Sequence, residues 1–226
     1  MTSTPVEPKP ASSVILLRNG PAGLEVLYLR RNPTLAFHGG YWVFPGGRID
    51  PTDYADGPTG DLARAAQRAA VREAREEAGL AVSADSLTFA IHWTTPVTSP
   101  IRFATWFFVA PASGETVTID GGEIHEHQWL RPRAALDQQS ASTVKLAAPT
   151  FALTTRLSEF PDVDTALATI ATWPEERLLG HLHDVDGGSV ALYHQDVAYE
   201  SGRLEQDGAR HRLWMVESGW RYERAF

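Results

Sequence analysis

The side chains with the clearest chemical meaning are three carboxylates in the segment Arg72-Glu73-Ala74-Arg75-Glu76-Glu77-Ala78-Gly79-Leu80. Glu73, Glu76 and Glu77 stand at positions i, i+3 and i+4, just ahead of a glycine. On a helix this spacing points all three towards one side, where like charges repel one another unless a cation lies between them. Because carboxylate oxygens suit Mg²⁺ or Mn²⁺, the spacing predicts a site for a hard divalent cation.

These carboxylates need a helix that ends directly after them, and the surrounding sequence predicts one. The alanine-rich stretch from Asp61 to Ala78 has high helix propensity, and Asp61 is a good N-cap. Gly79 suits the helix end because glycine tolerates a positive φ. Upstream lies a glycine-rich turn, Phe44-Pro45-Gly46-Gly47-Arg48-Ile49-Asp50. An alternative interpretation of the glutamates is a solvated helix face paired with nearby arginines.

Turn and helix together resemble the Nudix box. That box runs Gly, five residues, Glu, seven residues, and then Arg-Glu-apolar-any-Glu-Glu-any-Gly-apolar. The second half matches at every fixed position, with Ala74 as a small member of the apolar class. The Phe-Pro-Gly-Gly turn and the Arg-Glu-x-x-Glu-Glu-x-Gly string occur in the expected order, so the resemblance favours a functional helix over a merely solvated one.

The first half of the box departs from the pattern. An insertion of 11 residues follows the turn, and the first Glu of the box falls on Arg64, which cannot coordinate a cation. Whether this loss weakens metal binding is left open by the sequence. The loop offers four other acids, although loop aspartates more often form turns. They are Asp50, Asp53, Asp56 and Asp61.

The resemblance implies an enzyme, a divalent-metal-dependent Nudix diphosphohydrolase that uses Mg²⁺ or Mn²⁺. Its substrate would be a nucleoside diphosphate linked to another moiety. Glu73, Glu76 and Glu77 would be metal-binding and catalytic residues, with Glu73 either a third ligand or the group that orients and deprotonates the attacking water. Arg72 would pair with a glutamate of the cluster and fix its rotamer.

The resemblance also assigns residues to the substrate side of the site. Gly46 and Gly47 would let the backbone approach the metal or phosphate closely, and Arg30 on a preceding strand is grouped with them. Glu123 and Glu126 are further candidates for a base or ligand outside the box. The alternative for both is a solvent-facing acid beside a strand.

Three functions stay open at this stage. The run from Phe37 to Gly47 is similar to long-insertion Nudix members, which include coenzyme A and acyl-coenzyme A diphosphatases. An ADP-ribose or nucleotide-sugar diphosphatase is the second possibility. The third is a non-catalytic Nudix-fold protein that binds a nucleotide or has a regulatory role. The missing first Glu supports this third interpretation, and the three retained glutamates oppose it.

Composition limits the function classes. The chain has 226 residues, 43% of them hydrophobic and 21% charged, as expected for a soluble globular protein. A net charge of −8 argues against binding to nucleic acid or to an anionic membrane. The absence of cysteine excludes disulfides and thiol nucleophiles. We therefore predict a cytoplasmic protein with a small-molecule partner, and the resemblance adds a homodimer.

The predicted fold class is α/β (α+β). It consists of the α/β/α sandwich with a mixed central sheet that the Nudix resemblance implies, plus a C-terminal helical and β-strand extension. Residues 1–10 are predicted as a disordered tail, 11–145 as the Nudix hydrolase domain and 146–226 as an extension of unknown role. The extension contains two predicted helices, at Pro149–Glu159 and Asp162–Thr172, and strands after them.

Overall fold

The structure is a computed structural model that describes residues 5–36, 38–54 and 60–226. Two compact units are present. The larger unit comprises the described parts of 10–92 and 105–176. The smaller unit comprises the described parts of 1–9, 93–104 and 177–226. Asp56, one of the predicted loop acids, lies outside the described residues, as do the first four residues of the predicted tail.

The larger unit contains most of the secondary structure in the described residues. Its strands, in chain order, are β1 (Lys9–Gly20), β2 (Gly23–Arg31), β3 (Trp42–Val43), β4 (Gly46–Arg48), β5 (Thr88–Thr94), β6 (Phe103–Pro111) and β7 (Ile124–Leu130). Its helices are α1 (Leu62–Ala78), α2 (Pro132–Ser140), α3 (Ala148–Leu157) and α4 (Val163–Ile170). Two 3₁₀ turns lie at Pro51–Asp53 and Ala84–Ser86.

The central sheet of this unit is mixed, and its strands are hydrogen-bonded in the order β3-β2-β1-β6-β5. In addition, β4 pairs with β1 and β7 pairs with β2. Successive residues of β2 point to opposite faces. Leu27 and Leu29 pack with the alanines of α1, whereas the hydroxyl oxygen of Tyr28 lies 3.0 Å from that of Thr154 in α3. Helices cover both faces, so the predicted α/β/α sandwich is confirmed.

Helix α1 lies close to the sheet because its buried side chains are small. Six of its alanines are fully buried: Ala65, Ala66, Ala69, Ala70, Ala74 and Ala78. The hydroxyl of Ser12 in β1 donates a 2.7 Å hydrogen bond to the carbonyl of Ala66. The predicted ends are confirmed, since Asp61 accepts from the Ala63 N–H at 2.9 Å and Gly79 adopts a φ of 69°. The ends of α1 are thus set by local sequence, and its small side chains allow it to pack closely on the sheet.

The smaller unit contains the remaining strands of the described chain. They are β8 (Arg177–Leu179), β9 (His181–Val185), β10 (Gly188–Leu192), β11 (Arg210–Val216) and β12 (Arg221–Ala225). Strands β9 to β12 form an antiparallel sheet in the order β12-β11-β10-β9. Arg212 in β11 is 2% exposed and makes an ion pair with Asp196, with 2.6 Å between Nη2 and Oδ1.

Strand β1 begins within the predicted tail, and the predicted extension is divided between the two units. Lys9 and Pro10 belong to β1 although the sequence places them in a disordered tail. The N–H of Lys9 donates to the carbonyl of Arg102, and Arg102 in turn donates to the carbonyl of Val6. Helices α3 and α4 belong to the larger unit, and the strands after residue 176 to the smaller one. The boundary at 145 stays a prediction. No helix in the described ranges is long and apolar enough to cross a membrane.

Candidate active site

The three predicted carboxylates in the last two turns of α1 lie in two different environments. Glu73 and Glu77, one turn apart, are 9% and 6% exposed. Glu76 points outwards, with 57% of its side chain exposed. A solvated helix face therefore describes Glu76 but not the other two. Two acids buried side by side need a specific reason, because burial disfavours their charged forms.

The glycine turn lies directly against these buried acids. Strand β4 pairs with β1, and the N–H of Gly46 donates a 2.9 Å hydrogen bond to Oε2 of Glu77. A Cβ at Gly47 would collide with the carboxylate of Glu73. The structure thus brings together four of the predicted residues, and it explains why glycine is needed opposite Glu73.

The carboxylates of Glu73 and Glu77 repel one another, and the nearby donors and positive charges compensate them only in part. Burial raises the pKa of Glu77 to about 8, and the negative charges of Glu73 and Glu123 add to this effect. The Gly46 N–H and the charge of Arg31 oppose it. Burial also raises the pKa of Glu73, against the hydrogen bond from Arg72. A pair of buried carboxyl groups with raised pKa values is typical of a functional site.

Arg72 uses all of its guanidinium hydrogens near this cluster. Its Nη1 donates to Oε1 of Glu73 and to Oε2 of Glu76, both at 2.8 Å. Its Nε and Nη2 donate to the two carboxylate oxygens of Asp53, at 3.2 and 2.9 Å, and Nη2 also donates to the Arg48 carbonyl at 3.0 Å. The predicted contact between Arg72 and the glutamates is present. The part of Asp53 in holding it was not predicted.

Arg31 is a candidate that sequence reasoning missed. It is the last residue of β2, and its Nη2 lies 3.5 Å from Oε2 of Glu123. Its Nε is buried and has no hydrogen-bond partner among the described residues. The available signal was the two-residue period of β2, which places position 31 on the same face as Leu27 and Leu29, towards α1. Glu123, a sequence candidate, is thereby placed near the cluster.

Arg30 and Glu126 form an ion pair between β2 and β7. Nη1 of Arg30 is 3.2 Å from Oε2 of Glu126, in the register that pairs β2 with β7. Both residues line a cleft of about 380 Å³ whose wall is mostly polar. The cleft is also lined by Tyr41, Trp42, Gln128, Gln138, Ser142, Thr143 and Lys145. Arg30 thus lines this cleft, and its grouping with Gly46 and Gly47 stays a prediction.

The other loop acids mostly support the backbone. Oδ1 of Asp50 accepts from the N–H of Thr52 at 3.0 Å, and Asp61 caps α1. Arg64, at the position of the missing Glu, has 74% of its side chain exposed and lies 3.6 Å from Asp61. Asp50 and Asp53 both close the 3₁₀ turn with their side chains, and Asp53, which is 4% exposed, also contacts the site through Arg72.

The donor set fits a hard divalent cation in its chemistry. Glu73, Glu76 and Glu77 offer only carboxylate oxygens, and the buried pair lacks a full counter-charge. Among the described residues, no three His, Asp or Glu side chains converge into a complete metal-binding group. Arg72 and the Gly46 N–H occupy carboxylate oxygens that a cation would use. The assignment of these residues as metal ligands stays a prediction.

Comparison with protein families gives a match over most of the chain. The family model described as the NUDIX domain matches residues 7–150. A Caenorhabditis elegans protein that carries the name nudix hydrolase 7 is 29% identical over 176 residues, which cover 62% of this chain. The match covers 58% of that protein, so the chain spans a little over half the length of this curated relative.

Solved structures agree at the level of the fold. A NUDIX hydrolase from Alicyclobacillus acidocaldarius has a TM-score of 0.65 and 23% identity, over 75% of this chain and 99% of that one. The NUDIX domain of Shewanella oneidensis NrtR, crystallised with ADP ribose, has a TM-score of 0.51 and 16% identity, over 68% of this chain and 88% of its own. At such identities the likeness concerns the fold alone.

Proposed function

Because this chain belongs to the Nudix family, we propose that it is a divalent-metal-dependent hydrolase that cleaves the diphosphate bond of a nucleoside diphosphate linked to another moiety. The observation that carries the proposal is the burial of Glu73 and Glu77 side by side against the turn of Gly46 and Gly47. Such a cluster retains an unfavourable repulsion that a doubly charged cation would remove.

Each residue of the cluster has a role in this proposal. Glu73, Glu76 and Glu77 hold Mg²⁺ or Mn²⁺, which when bound neutralises phosphate charge and acidifies bound water. Glu73 is the third ligand or accepts the proton of the attacking water. Water adds to phosphorus, and the bond to the bridging oxygen breaks, so that two phosphorylated products leave. Arg72 holds the carboxylate of Glu73 through the hydrogen bond from its Nη1 to Oε1.

Arg31 and Glu123 complete the site. Arg31 carries a buried Nε that lacks a partner among the described residues, and its charge is felt by Glu77. We assign it to a substrate phosphate, since a guanidinium pairs well with phosphate oxygens. Glu123 lies beside Arg31 with 63% of its side chain exposed, which leaves it accessible as a late base.

The cleft around Arg30 is proposed to hold the moiety linked to the diphosphate. Its lining includes the cations Arg30, which pairs with Glu126, and Lys145, together with amide and hydroxyl side chains and the aromatic ring of Tyr41. This lining suits a phosphorylated, hydroxyl-rich group such as that of coenzyme A, ADP-ribose or a nucleotide sugar. Homodimerisation and a cytoplasmic location stay predictions.

A substrate panel tests the activity. The purified chain is incubated with Mg²⁺ or Mn²⁺ and coenzyme A, an acyl-coenzyme A, ADP-ribose, a nucleotide sugar, NADH, dinucleoside polyphosphates or nucleoside triphosphates. Phosphorylated products are resolved by chromatography. We expect cleavage at the diphosphate for at least one compound and no turnover in the presence of EDTA. If none is consumed with either metal, the proposed function is wrong.

Two glutamate variants locate the activity. Glu77→Gln should lower kcat by more than about 100-fold and weaken Mn²⁺ binding, because it removes a ligand. The matched control is Glu159→Gln, an exposed glutamate of the same unit, which should stay within about twofold of wild type. Full activity of Glu77→Gln would reject the site assignment.

The alternative is a Nudix-fold protein that binds its nucleotide without cleaving it. The observation in its favour is Arg64, which is exposed and stands where the box has its first Glu. This function predicts saturable binding of one compound of the panel, measured by calorimetry, with no product. Retention of that binding by Glu77→Gln would support it further.

A further inference from the structure

A second cleft lies on the outward side of α1, where Glu76 is exposed. It has a volume of about 650 Å³, within the range of small-molecule sites. Its walls come from α1 and from the 3₁₀ turn at Ala84–Ser86. The lining residues are Arg68, Val71, Arg72, Arg75, Glu76 and Ala84. The charged groups of this cleft are therefore three guanidinium groups and one carboxylate.

The arginines of the cleft are aligned along the helix. Arg68, Arg72 and Arg75 occupy positions i, i+4 and i+7 of α1, which fall on one helix face. Like charges at these spacings repel one another and destabilise a helix. Such a row of cations is stable when carboxylates of the protein pair with it, or when an anion from solution binds to it.

Carboxylates of the protein pair with only one of these arginines. Arg72 forms ion pairs with three carboxylates. Arg68 donates from Nη1 to the backbone carbonyl of Asp53 and has no ion pair among the described residues. The side chain of Arg75 is exposed and has neither a hydrogen bond nor an ion pair within the described part of the chain. Asp85 of the 3₁₀ turn forms no ion pair with them.

We propose that Arg68 and Arg75 form a binding site for a phosphate group, in addition to the phosphate contact assigned to Arg31. Two guanidinium groups suit an anion with about two charges and several acceptor oxygens, as phosphate has and a single carboxylate lacks. The whole chain has a net charge of −8. Two arginines without carboxylate partners on one helix face therefore form a local positive region that attracts such an anion.

The test measures anion binding without metal and without turnover. Inorganic phosphate and pyrophosphate are titrated into the full chain, stripped of metal with a chelating resin, at low ionic strength in a calorimeter. We expect saturable binding of at least one anion and a Kd about 10-fold higher in Arg75→Gln. Added salt should weaken the binding, because Arg75 is exposed. The matched control is Arg64→Gln, an exposed arginine of α1 outside the cleft, which should keep the wild-type Kd.

Two results would overturn the inference. One is a lack of saturable binding of both anions to the wild-type chain, or a Kd in Arg75→Gln equal to that of wild type. The other is binding that is lost in Arg31→Gln but kept in Arg68→Gln and Arg75→Gln. That pattern would place the anion beside Glu77, whose pKa responds to the charge of Arg31. Because Arg75 makes no contact within the described residues, its replacement should leave the fold intact.

A comparison of two larger ligands identifies the source of the phosphate group. Coenzyme A carries a phosphate in addition to its diphosphate, whereas ADP-ribose does not. If the site takes a phosphate of the substrate, Arg75→Gln should raise the Kd of coenzyme A about 10-fold and leave that of ADP-ribose unchanged. If it takes free phosphate, only the binding of phosphate or pyrophosphate should weaken. Both results support the site, and neither requires the proposed hydrolase activity.

Discussion

In the larger unit Glu73 and Glu77 are buried beside one another, whereas in the smaller unit Asp196 is buried against Arg212. Burial raises the pKa of Glu77 to about 8. At Asp196 the effect of burial is outweighed by hydrogen bonds from Arg212 and from the N–H groups of Ala198 and His211, so the pKa of Asp196 is lowered.

The two regions use a buried carboxylate in different ways. Each carboxylate oxygen of Asp196 accepts two hydrogen bonds, one of them from the side chain of Arg212, at 2.7 Å to Oδ2 and 2.6 Å to Oδ1. A pair satisfied in this way holds a loop to a strand and needs no further group. At Glu73 and Glu77 the nearby donors and positive charges do not outweigh the effect of burial, so both pKa values are raised, and this feature indicates a site for a cation.

The largest expected effect on stability comes from breaking the satisfied pair. Arg212→Met removes the cation and leaves Asp196 charged and buried, at a cost of about 3–5 kcal/mol in the free energy of unfolding. Urea unfolding followed by circular dichroism measures this loss. Glu77→Gln should show no comparable loss near neutral pH, since the raised pKa of Glu77 keeps its carboxyl largely protonated there and glutamine retains an oxygen acceptor for the Gly46 N–H. A larger loss for Glu77→Gln than for Arg212→Met would reverse the comparison.

The second effect is a pH dependence of stability. Because the folded pKa of Glu77 is about 8 and its ordinary value is 4.5, the folded state binds more protons than the unfolded state between these values. The free energy of unfolding of the metal-free protein therefore falls as pH rises, by about 3.5 kcal/mol from pH 5 to pH 8. Urea titrations at both pH values should show a smaller fall in Glu77→Gln. The fall should persist in Glu159→Gln.

The sequence predicted the parts of the site that depend on local structure. The ends of α1 follow from Asp61 and Gly79, which act within a few residues of themselves. The contact between Arg72 and Glu76 follows from helix spacing. The glycine turn beside Glu73 followed from a family resemblance that preserves this arrangement.

Parts that depend on long-range placement could not be predicted. Asp53 reaches Arg72 across 19 positions of sequence, through a turn next to the inserted loop. Arg31 lies near Glu123 because the register between β2 and β7 shifts between Arg30 and Arg31. Strand β10 ends at Leu192 although strand-forming residues continue to Tyr199 in the sequence, since Asp196 organises the following turn through its own hydrogen bonds.

A smaller effect concerns the two glycines of the turn. Gly47→Ala places a methyl group against the carboxylate of Glu73, which must shift, so kcat should fall about 10-fold with stability nearly unchanged. Gly46→Ala is the contrasting variant. Its Cβ would lie 2.6 Å from the Ser12 carbonyl oxygen, in the backbone of β1, so it should lower stability first. Equal effects of the two variants on stability would contradict this division.

The smallest expected effect tests whether the stability of α1 can be lowered without a change in the Mn²⁺ affinity of its glutamates. Asp61→Ala removes the side chain that caps the first turn, at a cost of about 1 kcal/mol in the free energy of unfolding. Asp61 lies three turns before Glu73, and the six buried alanines keep α1 on the sheet. Mn²⁺ affinity and kcat should therefore stay at wild-type values, and Asp61→Asn, which can still cap, should recover most of the lost stability. A fall in Mn²⁺ affinity in Asp61→Ala would mean that the acidic cluster depends on the whole helix, and not on Asp53, Arg72 and the glycine turn.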